Sequence, residues 1–257
     1  MRIGSLFSGI GGLELGLEWA GLGSVVWQCE IDPFCRAVLA KHWPDVTRFE
    51  DVTAKRDWPH VDLVCGGFPC QDVSGAGKGA GLAGARSGLW YEFARIVGEV
   101  RPRFVVVENV TSGKRRWLPT VRRDLHVLGY RSRAIALSAA DVGAPHLRRR
   151  VFVVADAYPG GLEAGREGGA GDGRPSPGFR DPDEARRQGA GAEAYERREG
   201  PSDGRWWASE PDVGRVAHGL SGGLDGRRRR ARLRSLGNAV VPQCAEVVGR
   251  IIASEYL

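Results

Sequence analysis

The first 155 residues alternate short apolar runs with amphipathic stretches, and this alternation constrains the fold more than any other feature of the chain. "RIGSLF" at 2–7, "SVVWQCE" at 24–30, "DLVCGG" at 62–67 and "RFVVVENV" at 103–110 read as strands. Between them, "GLELGLEWAGL" carries Leu13, Leu17 and Ala20 at helical spacing, and "LWYEFARIVGEV" reads the same way. "DPFCRAVLAKHW" opens as a helix, with Asp32 as N-cap and Pro33 at the first helical position, where its missing N–H is not needed. A further helix through Leu118 to Leu128 precedes the strands "RSRAIALS" and "RRVFVVA". Strands that alternate with helices in this way build βα units on a parallel sheet, so the expected class is α/β.

The pattern stops near Tyr158. From there to Arg205 the chain is rich in Gly, Arg and acids with almost no apolar periodicity, the composition of a flexible loop or disordered insertion. Periodicity returns at the end, where Ala245, Val248, Ile251 and Ile252 mark a helical face expected to be buried. The formal net charge of +6, carried by Arg far more than Lys, tilts the chain toward a polyanionic partner, since each cation near a phosphate releases condensed counterion. No apolar run reaches the roughly 18 residues that cross a bilayer, and "MRIGSLFSG" lacks a secretory layout, so a cytoplasmic location is the default expectation. The five cysteines are scattered, with no CxxC pair and no nearby His cluster. A disulfide scaffold and a metal site are both disfavoured, and each cysteine is a packed thiol or a reactive one.

Glycines 9, 11 and 12 follow the first strand directly, a tight turn where a ligand can approach the backbone and a helix N-terminus. The dinucleotide fingerprint fails, because Glu14 stands where its third glycine belongs, and a carboxylate there would face a pyrophosphate badly. Glu30 ends the second strand about 20 residues on, where an acid accepts hydrogen bonds from ribose hydroxyls. Asp51 lies after a third short extended stretch and could meet an adenine amino group. Together these point to an adenosine ligand without a pyrophosphate, such as S-adenosylmethionine. In "VDLVCGGFPCQDVSG" at 61–75, Cys65 suits the strand interior as a small hydrophobe. Cys70 falls past the strand end, where open α/β sheets bind ligands. Pro69 fixes the backbone there, and Gly66 and Gly67 leave room for close approach.

"FSGIGG", "GGFPCQ", "ENV" and "GNAVVP", in this order, resemble the motifs of the DNA (cytosine-5) methyltransferases of bacteria and phage. The resemblance spans 1–155 and about 208–257. It implies a Rossmann-like, S-adenosylmethionine-dependent methyltransferase fold with a mixed, mostly parallel sheet. It divides the chain into a cofactor-binding and catalytic domain at 1–155, a short target recognition region at 156–207 and a C-terminal segment, 208–257, that returns to the first domain. Cys70 is then the nucleophile that attacks C6 of a flipped-out cytosine, and Glu108 bonds to N3 and the exocyclic amine. In "HLRRRVFVVA", Arg148 and Arg150 align with the arginines of the family's Gln-x-Arg-x-Arg element, Arg150 meeting the cytosine O2, while His146 replaces the usual Gln. Phe7, Gly9, Gly11, Gly12, Glu30, Ile31, Asp51, Val52, Pro69, Asn238 and Ala239 would line the cofactor, with Ala239 standing where the family commonly has Ser. Gln71, Ser74, Lys78, Asn109 and Arg215 would touch base or DNA, with Asn109 holding the loop near Cys70. His218 and Ser221 replace the family's usual Gln and Pro.

The expected activity is methyl transfer to C5 of cytosine in double-stranded DNA by a monomeric enzyme, within a restriction-modification or phage setting and with any cognate restriction endonuclease acting separately. Two rivals stay open on the residues alone. An RNA cytosine-5 enzyme of the same family commonly has a second Pro before the Cys, where this chain has Phe68. A catalytically inactive DNA-binding protein of the same fold would have no need of Cys70, Glu108 and Arg150.

Overall fold

A computed structural model describes residues 1–69, 88–158 and 227–257, with the side chains of the last stretch described from Arg230 onward. Strands β1 (Arg2–Leu6), β2 (Ser24–Cys29), β3 (Thr47–Phe49), β4 (Leu63–Gly66), β5 (Phe104–Val110), β6 (Tyr130–Leu137) and β7 (Arg150–Ala157) form one sheet in the order β3-β2-β1-β4-β5-β7-β6. The first five pair in parallel, and β7 runs antiparallel to both β5 and β6. The expected α/β class with a mixed, mostly parallel sheet is therefore the observed one. The strand order reverses at β1, which has β2 on one side and β4 on the other, and Leu6 registers with Gly66. The glycine turn after β1 and the Gly-Phe-Pro stretch after β4 thus leave the sheet side by side, at the place where open α/β sheets form their binding crevice.

Helices α1 (Gly12–Trp19), α2 (Pro33–His42), α3 (Leu89–Val100), α4 (Lys114–Val127), α5 (Arg227–Asn238) and α6 (Pro242–Tyr256) complete the described residues. Alternation along β5 splits the core in two. Val105 and Val107 face one side, where Trp90 and Phe93 of α3 and Trp117 and Val121 of α4 pack. Phe104 and Val106 face the other, covered by Leu13 and Leu17 of α1 and by Ala245, Val248 and Ile252 of α6. A strand buried on both faces has to be apolar at every position, and "FVVV" is. The C-terminal face matches the expectation except at Ile251, which is only half-buried.

Asp32 caps α2 as its position suggests, its Oδ1 accepting from the N–H of Phe34 at 2.8 Å and of Cys35 at 3.3 Å. The strand expected to close at Ala155 continues two residues to Ala157. Helix α5 was not legible: its run of arginines carries Leu233 and Leu236 as its only large apolar residues, and both are exposed, so no buried face shows in the pattern. Replacing Asp32 by Ala removes two acceptor contacts from the start of α2 and is expected to lower stability by about 1 kcal/mol. Denaturant unfolding of the two proteins side by side measures it, and an unchanged midpoint would show that the cap contributes nothing.

Candidate active site

The turn after β1 is wound by positive-φ residues: Phe7 at 54°, Gly9 at 57° and Gly11 at 88°. Gly11 is the N-cap of α1 in the left-handed region, which favours glycine because it has no Cβ. Phe7 is held in that region by its setting, its ring stacked on Phe93 with centroids 6.4 Å apart. Glu30 secures the turn from β2: Oε2 accepts from the Gly9 N–H at 2.7 Å and Oε1 from the Asp32 N–H at 2.8 Å. Each oxygen keeps a lone pair for a ligand hydroxyl. Ile31 beside it is 72% exposed and free to cover a flat ring. Asp51 accepts from Thr53 N–H and Oγ1, both at 2.8 Å, and these bonds hold its carboxyl below the usual carboxylate range. Val52 is buried, with its carbonyl taken by Arg95 at 2.8 Å.

A narrow cleft opens between this turn and the end of β4, lined among others by Phe7, Gly9, Glu14, Glu108 and Asn238. Glu108 sits near the end of β5 and is only 8% exposed. Because β7 runs the other way, its first residue, Arg150, lies at the same edge of the sheet and places Nε 2.8 Å from Glu108 Oε1. Burial pushes the Glu108 carboxyl up to about 7, against the downward pull of Arg150 and Arg148. A Cβ on Gly67 would lie 2.7 Å from Glu108 Oε2, so only glycine lets the chain after β4 pass so near the carboxylate. Asn109, expected among the residues that touch DNA, is instead 3% exposed, and its Nδ2 donates to the Phe68 carbonyl at 3.2 Å. It is a buried brace on the segment that leads through Pro69 to Cys70.

Arg148, expected beside Arg150 with the catalytic groups, turns to the C-terminal segment. Its guanidinium donates to the carbonyls of Gly237 at 2.7 Å and of Ala239 at 3.1 Å. Asn238, Ala239 and Val240 thereby form the wall of the cleft opposite β4. Cys70, Gln71, Ser74, Lys78 and Arg215 lie outside the described residues, as do His218, Ser221 and all but the first three positions of 156–207. The four described cysteines are Cys29, Cys35, Cys65 and Cys244, all free and buried. Burial raises every one of their thiols, those of Cys29 and Cys244 to about 12, so none is poised as a thiolate near neutral pH.

Glu14 is a site residue that sequence reasoning placed only as an obstacle to a pyrophosphate. It lines the cleft at 0% exposure, and neither carboxyl oxygen has a hydrogen-bond partner among the described residues. Burial pushes it up to about 7, while the Ser5 and Ser8 hydroxyls lie near enough to pull slightly the other way. A signal was available: Glu14 is an acid set among Leu13, Leu15 and Leu17 at the start of a helix that packs on the sheet. The cleft suits a cationic adenosine-type donor. It offers an orphaned carboxyl to a positive charge, and Glu30, bonded to the Gly9 N–H of its lining, stands beside it for hydroxyls.

Residues 1–158 match the family model for the C-5 cytosine-specific DNA methylases. The type II methyltransferase M2.BsuMI of Bacillus subtilis is 37% identical over 166 residues, which cover 62% of this chain and 42% of that protein. The chain thus spans about two-fifths of that relative's length. Among solved structures, a prophage-encoded Escherichia coli protein described as a DNA modification methyltransferase is 29% identical, with a TM-score of 0.51 over 61% of this chain and 47% of its own. The Dnmt2 methyltransferase of Schizosaccharomyces pombe shares the fold at 21% identity and a TM-score of 0.53, over 61% of this chain and 51% of its own.

Two outcomes are expected from this geometry. Arg148→Met, which keeps the stem and removes both carbonyl contacts, should free the Asn238–Ala239 wall and raise limited proteolysis there, with little change in thermal midpoint. Equal cleavage of the two proteins would show the clamp to be idle. Glu108 has a folded-state value above its ordinary one, so its contribution to stability declines as pH rises from about 4.5 to about 7. Glu108→Gln removes that decline, and the variant should gain on the wild type across this window by up to about 3 kcal/mol. Parallel unfolding at pH 4.5, 6 and 7.5 reads the difference, and a constant offset would show that burial does not perturb this group.

Proposed function

The chain belongs to the C-5 cytosine-specific DNA methylase family, and on that premise we propose that it methylates C5 of a cytosine flipped out of double-stranded DNA, through a covalent bond between Cys70 and C6. The observation that carries this reading is the buried Glu108–Arg150 pair, 2.8 Å apart, at the sheet edge from which Gly67, Phe68 and Pro69 lead directly into Cys70. S-adenosylmethionine, held by the glycine turn, Glu30, Asp51 and the Asn238–Ala239 wall, would supply an electrophilic methyl group on sulfur.

The protein's own groups divide the remaining work. The Cys70 thiolate adds to C6, and the electron pair displaced from the C5–C6 double bond moves toward N3. A carboxyl whose value stands at about 7 is protonated in a large fraction of molecules near neutral pH, so Glu108 can donate to N3, with an oxygen left to accept from the exocyclic amine. Arg150 keeps Glu108 oriented and presents its remaining N–H groups toward the base carbonyl. Addition at C6 with a proton at N3 makes C5 nucleophilic. After methylation, loss of the C5 proton expels the thiolate and restores the aromatic ring. The other described cysteines do not compete for this role, because burial keeps their thiols protonated.

The protein's net positive charge suits a duplex, and the arginines of 156–207 and the run at 227–230 supply phosphate contacts in this reading. Similarity to type II methyltransferases supports a restriction-modification setting, in which any endonuclease would be a separate polypeptide. The test is methyl transfer from labelled S-adenosylmethionine to duplex DNA and, in parallel, to tRNA, together with trapping on duplexes containing 5-fluorocytosine. Wild-type protein is expected to label duplex DNA and to form an adduct that survives denaturation. Cys70→Ala should lose both while still binding the donor, and Glu108→Gln should slow turnover by a factor on the order of 10² to 10⁴. Turnover by Cys70→Ala would overturn the mechanism, and labelling of tRNA alone would reassign the substrate.

A further inference from the structure

Glu14 is anomalous even within this site. It is fully buried in the first turn of α1, it lines the cleft, and neither oxygen has a partner among the described residues. A buried carboxyl left without hydrogen bonds costs on the order of 1–3 kcal/mol, and more when it ionises. The neighbours do little to relieve it. From β1, the Ser5 hydroxyl accepts from Ser8 Oγ at 2.9 Å, and both hydroxyls pull the carboxyl down without offsetting its burial. From the end of β2, Glu30 adds like charge and is itself committed to Gly9 and Asp32. From β4, Cys65 is a buried thiol whose ionisation Glu14 opposes. Glu18, one turn along α1, accepts from the Val25 N–H and Trp43 Nε1. On α6, which packs against α1, Glu246 is paired with Arg250 at 2.8 Å. Across the cleft, Glu108 has Arg150.

Among the described residues the group therefore lacks a positive charge, and it borders the cleft, from which one can arrive. We propose that Glu14 is the counter-charge for the cationic centre of the bound donor, its ammonium or its sulfonium, and so a determinant of this cleft's preference for charged over neutral adenosine ligands. This inference rests on the reading of the cleft as a donor site. Its chemical logic is proton linkage. An empty cleft holds Glu14 partly protonated near neutral pH, a cation favours the ionised form, and binding expels the proton. A carboxyl that waits for its partner inside the cleft also explains why the sequence keeps an acid at a position that an apolar residue would stabilise.

Titration calorimetry on the whole protein tests it, run from pH 6 to 8 in two buffers of different ionisation enthalpy so that released protons are counted. Three ligands separate the charges. S-adenosylmethionine carries ammonium and sulfonium, S-adenosylhomocysteine carries ammonium alone, and methylthioadenosine carries neither. The wild type is expected to release up to about half a proton per S-adenosylmethionine near pH 7 and to bind it about tenfold more tightly at pH 8 than at pH 6, the span set by a free-state value near 7 pulled well below 6. Glu14→Gln should lose the share of release that Glu108 does not supply, flatten that pH dependence, and weaken binding at pH 8 by about 10- to 100-fold, the span of a charged hydrogen bond. Methylthioadenosine should bind both proteins equally. An effect shared by S-adenosylhomocysteine assigns the contact to the ammonium, and one confined to S-adenosylmethionine assigns it to the sulfonium.

Glu14→Met covers the case in which the Gln variant fails to fold. Removing the orphaned carboxyl should raise the thermal midpoint and weaken donor binding together. If the midpoint rises while affinity and proton release stay at wild-type values, Glu14 is only a packing defect and the inference is overturned. Wild-type protein that binds no S-adenosylmethionine would overturn the donor reading and this inference with it.

Discussion

A carboxylate taken out of water has to find a partner, and Glu108 finds one only because β7 runs against β5. In a wholly parallel sheet every strand would bring its carboxyl end to the ligand edge, and an arginine at the start of a strand would sit at the far side. Reversal of β7 brings Arg150 to the edge where β5 ends, 2.8 Å from the acid. The pair bears on the course of the chain around it: a side chain at Gly67 would push against the carboxylate that Arg150 holds, and Asn109 next in sequence ties down Phe68. One ion pair thus orders the approach to Cys70 from two directions.

The cleft is acidic within a basic protein. Glu14 and Glu108 line it and Glu30 braces its glycine turn, while the chain as a whole carries +6. In the proposed function the two signs would serve different partners, the carboxyl groups a small cationic donor and the arginines outside the cleft a polyanion. The acids themselves are not equivalent, because water reaches them unequally. Asp51 is held below its usual range by Thr53, whereas Glu14 and Glu108 are lifted to about 7 by burial.

Much of this was legible before any coordinates. The runs at 2–7, 24–30, 62–67 and 103–110 read as strands and are strands to within one residue at each end, and Asp-Pro before "FCRAVLAKH" reads as a helix start and is one. The glycine turn, Glu30 and Glu108 could be placed because each lies at or close to the carboxyl end of a strand-like run. Helix α5 could not, since a helix that leaves its leucines in solvent shows no periodic face. The role of Arg148 was hidden for another reason. Two arginines two residues apart on a strand-like stretch read as one pair, but a positive φ of 25° at Arg148 turns its side chain away to carbonyls 89 and 91 residues later. Contacts at such separation leave no local trace.

The wall formed by Asn238, Ala239 and Val240 bears on how the protein is made. Translation delivers the glycine turn first and this wall some 230 positions later, so the pocket stays open on one side over that whole interval. A growing chain can fold its sheet around Trp27 and Phe104, yet it has no complete place for a methyl donor until the ribosome has released Val240. A nascent chain therefore gains this cleft only after the sheet that frames it is able to fold.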